Sequence, residues 1–304
     1  MYAVPEQHGR TFVVTGANSG TGRAAAEQLA AAGARVVLAV RNAEKGEKAL
    51  AEIRAAHPGA DVEVRVVDLA DLASVRHFAD TLTADLDRLD VLVNNAGVMV
   101  PPTRFETADG FELQMGTNFL GPLALTNLLL PLLLAAPEPR VATMSSGVAS
   151  WARIRFDDLQ WTRGYRPWRA YGQSKLADLH LARHLARVSD ERGWPLLSTA
   201  AHPGFTRTNL QTAGASLGRD TPRRSIFSGD SVMPSMLPPE GAGSILLAAT
   251  SPLAAQGGYY GPTGRWGLVG DPGPVHLNRR MRDGATAARL WAVAQDLTGT
   301  ALPA

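Results

Sequence analysis

Cysteine is absent from the chain, and with it go disulfides, thiolate nucleophiles and zinc–cysteine centres. A long basic run is also missing. The 30 Lys and Arg nearly balance 28 Asp and Glu, a net charge of +2, so nucleic acid is not an expected partner. Residues 1–10 lack the apolar core of a signal peptide. Long hydrophobic runs are scarce: residues 113–137 carry no charge, but Asn118, Gly121, Pro122, Asn127 and Pro131 interrupt them. Their most apolar part, residues 123–134, falls short of the ~20 residues that span a bilayer. It reads as a buried helix at a core or subunit interface, and the chain as cytoplasmic with no membrane partner. Internal repeats and low-complexity tracts are not seen.

What is present is ample material for a core, with 45% apolar and 19% charged residues, a globular balance. A length of 304 residues admits two domains, but the order of segments needs only one. Residues 10–15 are a short β-branched run, Gly16 to Gly22 a glycine-rich turn, and residues 23–32 a strong helix former ended by Gly33. Strands follow at residues 34–39, 61–67, 89–93, 140–144 and 196–201, separated by helices at 43–56, 71–87, 111–134 (with breaks at Pro122 and Pro131) and around Tyr171. Such alternation implies a parallel sheet covered on both faces. A helix over 239–249, a seventh, edge strand over 258–260 and a terminal helix over 286–297 complete the chain. Asp271-Pro272-Gly273-Pro274 separates the last two.

The chemistry gathers at strand ends. Gly16-x-x-x-Gly20-x-Gly22 lies between a strand and a helix, where missing side chains let backbone N–H groups approach a pyrophosphate. The second strand ends in Val40 followed by Arg41-Asn42, not in the carboxylate that would hold a ribose 2′-hydroxyl. A guanidinium there pairs with a 2′-phosphate and favours NADP over NAD; the alternative is an ordinary solvated loop residue. Tyr171 and Lys175 are four apart and share one helix face. An ammonium one turn away favours the phenolate and draws the phenol toward the range where proton transfer is efficient. His180 and His184 have a zinc-like spacing, but no glutamate or third ligand accompanies them, so a solvated helix face is expected and no metal. His202 reads as structural.

Taken in order, Thr15 to Gly22, Asn94-Asn95-Ala96-Gly97, Asn118, Ser146 and Tyr171-x-x-x-Lys175 resemble the short-chain dehydrogenase/reductase family over about residues 10–265. Arg41, Phe156-Asp157-Asp158-Leu159 and the ending Gly257 to Pro262 are most similar to its retinol-dehydrogenase-like, NADP-preferring branch. The resemblance implies one α/β domain over residues 1–304, of the doubly wound Rossmann type, with a seven-stranded parallel sheet in the order 3-2-1-4-5-6-7 and helices on both faces. It places a substrate loop at about 205–239 and a C-terminal extension at about 265–304. It further implies a homodimer or homotetramer, joined through the helix of residues 119–134 and the one carrying Lys175.

Residue by residue, the resemblance makes Tyr171 the acid/base, with Lys175 lowering its pKa and binding the nicotinamide ribose. Ser146 donates a hydrogen bond to the substrate oxygen, and Asn118 holds a water linking Lys175 to solvent. The open alternatives are Ser145 for Ser146, since adjacent strand residues face opposite ways, and a backbone-satisfying role for Asn118 in a kinked helix. Dinucleotide contacts are implied at Gly16, Asn18, Ser19, Gly20, Thr21 and Gly22. Others fall at Arg41, Asn42, Asp68 and Leu69, at Asn95, Ala96 and Gly97, and at Pro203, Gly204, Thr206 and Thr208. Thr21 stands where the family has an apolar residue and is expected to weaken helix packing slightly. The 25 residues from Ser146 to Tyr171 are a long interval, shared by the branch with the Phe-Asp-Asp-Leu insertion.

Trp151, Trp161, Tyr165 and Trp168 crowd that interval, as walls for an apolar substrate or as packing of the insertion itself. Trp151, Trp168 and Phe205, with Ser146 and Tyr171, are the candidate substrate contacts. Residues 205–239 read as a lid that orders over the cofactor. The expected function is NADP(H)-dependent hydride transfer to or from a carbonyl or alcohol of an apolar small molecule. The alternatives are reduction of a conjugated C=C bond by the same fold, and nucleotide sensing without turnover, which needs none of Tyr171, Lys175, Ser146 and Asn118.

Overall fold

Strand β1 (Thr11–Thr15) shows why the domain has two cores. Val13 faces one side of the sheet, Phe12 and Val14 the other, and all three are fully buried. A strand covered on both faces belongs to a parallel sheet held between helices. The computed structural model describes residues 2–208, 210–218 and 234–303. Its strands β2 (Arg35–Val40), β3 (Val62–Val66), β4 (Val91–Asn94), β5 (Arg140–Met144), β6 (Leu197–Ala201) and β7 (Tyr259–Pro262) run parallel with β1, in the expected order 3-2-1-4-5-6-7.

The edge differs from expectation. An eighth strand, β8 (Pro272–Pro274), pairs antiparallel with β7, so the sheet is not purely parallel and β7 is not its edge. Two prolines made this segment read as a mere separator. At an edge, however, a strand needs ladder bonds from alternate residues only. Asp271 accepts from Thr263 N at 2.9 Å and Val275 N donates to Tyr259 O at 2.8 Å, leaving the proline nitrogens out of the ladder.

The helices are α1 (Gly20–Ala31), α2 (Ala43–Ala56), α3 (Leu72–Asp85), α4 (Leu113–Leu134), α5 (Pro167–Arg192), α6 (Gly243–Thr250) and α7 (Gly284–Thr298). Helices α1, α2 and α6 pack on the Phe12–Val14 face, and α3, α4, α5 and α7 on the Val13 face. The breaks expected at Pro122 and Pro131 are not found: α4 runs through both, and its irregularity is a π-turn at Gly116–Leu120. Pro122 follows in the first turn of the regular α segment, where a missing N–H matters least. By length and composition α4 is apolar enough to cross a membrane, yet it is buried within this core. Truncating its fully covered Leu123 to Ala should cost about 2–5 kcal/mol.

Helix α7 lies on α4 and α5 through Leu290, Trp291 and Ala294. Asn127 Nδ2 donates to Thr300 Oγ1 at 3.1 Å just beyond it. This is the face on which the family resemblance places a partner subunit; here the chain's own C-terminus covers it. It also covers His180 and His184, 2% and 7% exposed, with the His184 ring 5.0 Å from that of Trp291. The solvated face expected for them is therefore corrected: periodicity along α5 could not foresee a helix arriving a hundred residues later. Of the expected lid, residues 219–233 lie outside the described residues.

Candidate active site

The chain leaves β1 through Gly16 and Gly20, both at positive φ (+67° and +57°), a region glycine enters without strain. Gly22 serves close packing instead: a Cβ there would stand 2.5 Å from Gly16 O and collide with the Asn95 amide. Asn95 stitches the turn to β4, its Nδ2 donating to Thr15 O and its backbone N to Thr15 Oγ1, each at 2.9 Å. Thr21, expected to weaken packing, adds a third stitch, Oγ1 donating to Asn95 Oδ1 at 3.2 Å.

Three crossover helices begin near this rim, and their caps differ. Asn42 accepts from Lys45 N at the start of α2, and Asp71 from Ala73 N and Ser74 N at the start of α3. At the start of α1, Ser19 makes no side-chain cap bond, and the first turn holds no acid. The orphan N–H groups of α1 are thus left for an anion.

They open into a cavity of about 710 Å³ walled by Asn18, Ser19, Gly20 and Thr21, by Asn95, Ala96 and Gly97, and by Asp68, Leu69 and Thr208. Its far end carries Arg41, Lys45 and Lys48, none within ion-pair distance of a carboxylate among the described residues. The donor set and the glycine cradle fit a dinucleotide with an added phosphate. Of the expected contacts, Asn42 does not line the cavity, its side chain being spent on the α2 cap, and neither do Gly22, Pro203, Gly204, Thr206, Tyr171 and Lys175. Lys45 and Lys48 escaped the sequence reading, although the spacing 41, 45, 48 puts a repeated cation beside the strand end.

Beyond the cavity, where β5 and β6 end, the tyrosine side is built from side chains. Ser145 turns inward, its Oγ donating to Lys175 O at 2.6 Å, while Ser146 faces the cleft with its hydroxyl in hydrogen-bonding reach of the Tyr171 phenol. The pleat thus sends the two serines opposite ways, and it is Ser146 that reaches the phenol. Tyr171 is 5% exposed. Burial pushes its pKa above the ordinary phenol value; Lys175 and Ser146 pull it down, and Asp178 pushes it up again. The expected net lowering by Lys175 is therefore not what the free protein has. Burial outweighs a single ammonium, and that ammonium is not alone.

Lys175 Nζ donates to Met144 O at 3.0 Å and to Asp178 Oδ2 at 2.8 Å. Burial lowers its pKa, but Asp178 and Tyr171 together hold it above the usual lysine value. Gly97 keeps the space before it clear, since a Cβ there would sit 3.5 Å from Nζ and 3.1 Å from Asn118 Oδ1. Asn118, inside the π-turn, clamps the neighbouring loop: Oδ1 accepts from Val98 N at 2.7 Å, and Nδ2 donates to Val98 O at 3.0 Å and to Ser174 Oγ at 2.9 Å. The backbone it satisfies is that of Val98, in the loop after β4, and not that of its own helix. A π-turn at such a point is common where a helix serves a site.

The four aromatics of the insertion divide. Trp161 is buried under the Arg155 guanidinium at 4.5 Å, and the Tyr165 hydroxyl accepts from Gln114 Nε2 at 2.9 Å and donates to Glu112 at 3.2 Å. Those two pack the insertion. Trp168 stands edge-on to Tyr171 at 6.2 Å, and the Trp151 ring lies against Gly172, where a Cβ would come within 3.2 Å. Both stay half exposed at the mouth. Across from them, Pro203 and Gly204 lead to half-buried Phe205, while Thr206 is buried with Oγ1 donating to Pro203 O at 2.6 Å. His202 is buried against Tyr259, its pKa pushed down to about 4 by burial, which suits a structural role.

Comparison with known proteins places the chain in a family. The short chain dehydrogenase family model matches residues 10–216. Mouse (Mus musculus) polyprenol dehydrogenase is 40% identical over 301 residues, 97% of this chain and 86% of that protein. Mouse retinol dehydrogenase 14 is 37% identical over 302 residues, 96% and 86% respectively. Among solved structures, an uncharacterized protein from Mycobacterium paratuberculosis aligns over 100% of this chain and 99% of its own at 41% identity and a TM-score of 0.81. A short chain dehydrogenase from Escherichia coli CFT073 complexed with NADPH aligns over 67% and 80% at 29% identity and a TM-score of 0.54. The chain is an oxidoreductase belonging to the short-chain dehydrogenase/reductase family, and within it is similar to the retinol and polyprenol dehydrogenases.

Proposed function

We propose that this protein is an NADP(H)-preferring oxidoreductase that interconverts a carbonyl and an alcohol on an apolar small molecule, with Tyr171 as acid/base. The observation that carries the reading is the buried Tyr171 phenol next to the Ser146 hydroxyl, with its neighbour Lys175 reaching to Gly97, a residue that lines the glycine-cradle cavity. Arg41, Lys45 and Lys48 support NADP, because three unpaired cations suit a 2′-phosphate and no carboxylate follows Val40. The NADPH complex of a related dehydrogenase supports the same choice. Relatives named for retinol and polyprenol, and the apolar mouth formed by Trp151 and Trp168, support an apolar alcohol.

The nicotinamide, when bound, supplies or accepts the hydride. During reduction Tyr171 gives its proton to the carbonyl oxygen, and during oxidation it removes one from the hydroxyl. Ser146 donates to the same oxygen and stabilises the charge that grows there. Lys175, aimed past Gly97, would meet the cofactor ribose; Asn118 keeps the 98 loop from closing over it. NADPH oxidation with a panel of apolar ketones, aldehydes and enones tests the reading. Turnover with ketones or aldehydes is expected. Turnover with enones alone would move the chemistry to a C=C bond, and tight NADPH binding with no turnover would leave a nucleotide-binding protein.

A further inference from the structure

One charged group beside the site has no part in the reaction as described. Asp178 is 0% and Lys175 3% exposed, paired at 2.8 Å, and Asp178 Oδ1 has no hydrogen-bond partner among the described residues. Two charges sealed from water incur a desolvation cost that an asparagine in the same place would avoid. The carboxylate is therefore conspicuous for its charge, not for its shape.

Its neighbours are few. On α5 the titratable groups bearing on it are Lys175 and Tyr171, and from β7 Tyr259, whose hydroxyl donates to Ser146 O at 3.0 Å. Strand β5 contributes only the Met144 carbonyl and the Ser145 hydroxyl, and the α4 π-turn the neutral Asn118 amide. Helix α7 sends Asp283 toward His180, not toward Asp178. Lys175 alone would project a positive charge onto the phenol one turn away and favour phenolate. A carboxylate 2.8 Å from that ammonium brings the local charge back toward zero, and both partners are buried, where charges are screened little.

We propose that Asp178 is a positioning residue: paired with Lys175, it offsets the ammonium's pull on the Tyr171 phenol and so sets the pH at which its proton passes to or from the substrate oxygen. The protonated phenol is the form that carbonyl reduction consumes, so the device favours the reductive half at neutral pH. The proposal rests on the reading of Tyr171 as acid/base. It stands on the geometry of the pair; burial pushes the Asp178 carboxyl up to about 7, so its full negative charge is present above that pH, where the phenol itself titrates.

The test is a spectrophotometric tyrosinate titration of the full chain and of Asp178→Asn, each read against its own Tyr171→Phe counterpart to remove the other tyrosines among the 5 present. Asp178→Asn should lower the ionisation of Tyr171 by roughly one pH unit or more. The acid limb of kcat for alcohol oxidation should move with it, while NADPH affinity stays the same. An unchanged titration in a folded, NADPH-binding Asp178→Asn overturns the proposal. Should that variant not fold, Asp178→Ala decides on the same titration: Tyr171 ionising lower by a similar amount supports the proposal, and an unchanged ionisation overturns it. A missing shift with normal turnover removes this proposal alone. A shift in a protein that turns over no carbonyl or alcohol removes the acid/base reading, and the proposal with it.

Discussion

The two ends of the cleft are made of different materials. At the phosphate end the working groups are backbone N–H donors at the start of α1, held open by Gly16, Gly20 and Gly22. At the tyrosine end they are side chains delivered by α4, α5, β5 and β7, and each is held by another side chain or a remote carbonyl. A backbone site depends on where side chains are absent. A side-chain site depends on what is packed around it, because burial, ion pairing and hydrogen bonding together set each pKa. The first tolerates little change in shape; the second responds mainly to changes in charge.

The largest effect expected is at the second end. Tyr171→Phe should reduce carbonyl turnover by about 10²–10⁴-fold, the usual contribution of a placed general acid, while NADPH binding measured by fluorescence stays within a few-fold. Equal loss of both would mean that the phenol supports the cradle and not the proton. Next comes the phosphate end. Arg41→Ala should weaken NADPH by about 10–100-fold, as loss of a charged hydrogen bond to phosphate does, and leave NADH nearly unchanged; parallel weakening of both would take the guanidinium away from the 2′ position.

Smaller, and aimed at shape, is Gly22→Ala. Its methyl has no room before Gly16 O and Asn95, so a cost of about 1–3 kcal/mol in urea-unfolding stability is expected, with weaker NADPH binding but an unaltered pH profile. A shifted profile would mean that the two ends are coupled.

The smallest effect concerns α5 beyond the site. Burial holds His180, His184 and His202 down to about 4, below the usual 6.5. Between those values the unfolded chain binds protons that the folded chain refuses. Stability is then full above about pH 6.5 and declines as pH falls toward 4. Urea midpoints should drop between pH 7.5 and 5.5, ahead of most carboxylate titration. A flat midpoint over that range would show these rings to be wet or already charged.

Much of the scaffold was legible. Alternating β-branched runs and helix formers pointed to a parallel sheet covered on both faces, and the glycines with their flanking strand and helix to the cradle, because both depend on local conformation; the strand order came from the family resemblance. Thr21 shows the limit: its departure from an apolar residue looked like a defect until Asn95 was seen across the turn. The prolines of β8 misled because their cost depends on which N–H a ladder uses. Asp178 went unnoticed although it lies three residues from Lys175, since the same spacing on a solvated helix would mean little.

From the sequence alone came the parallel sheet, the glycine-rich cradle, the cation after β2 and the tyrosine–lysine pair, all of them matters of periodicity, glycine placement and residue type, while the serine came with the family resemblance. Only the folded arrangement showed that a carboxylate is sealed against the lysine, that Ser145 and Ser146 part company, and that α7 closes over α4 and α5. Those outcomes follow from burial, and burial belongs to segments brought together across the whole chain, which no local stretch encodes.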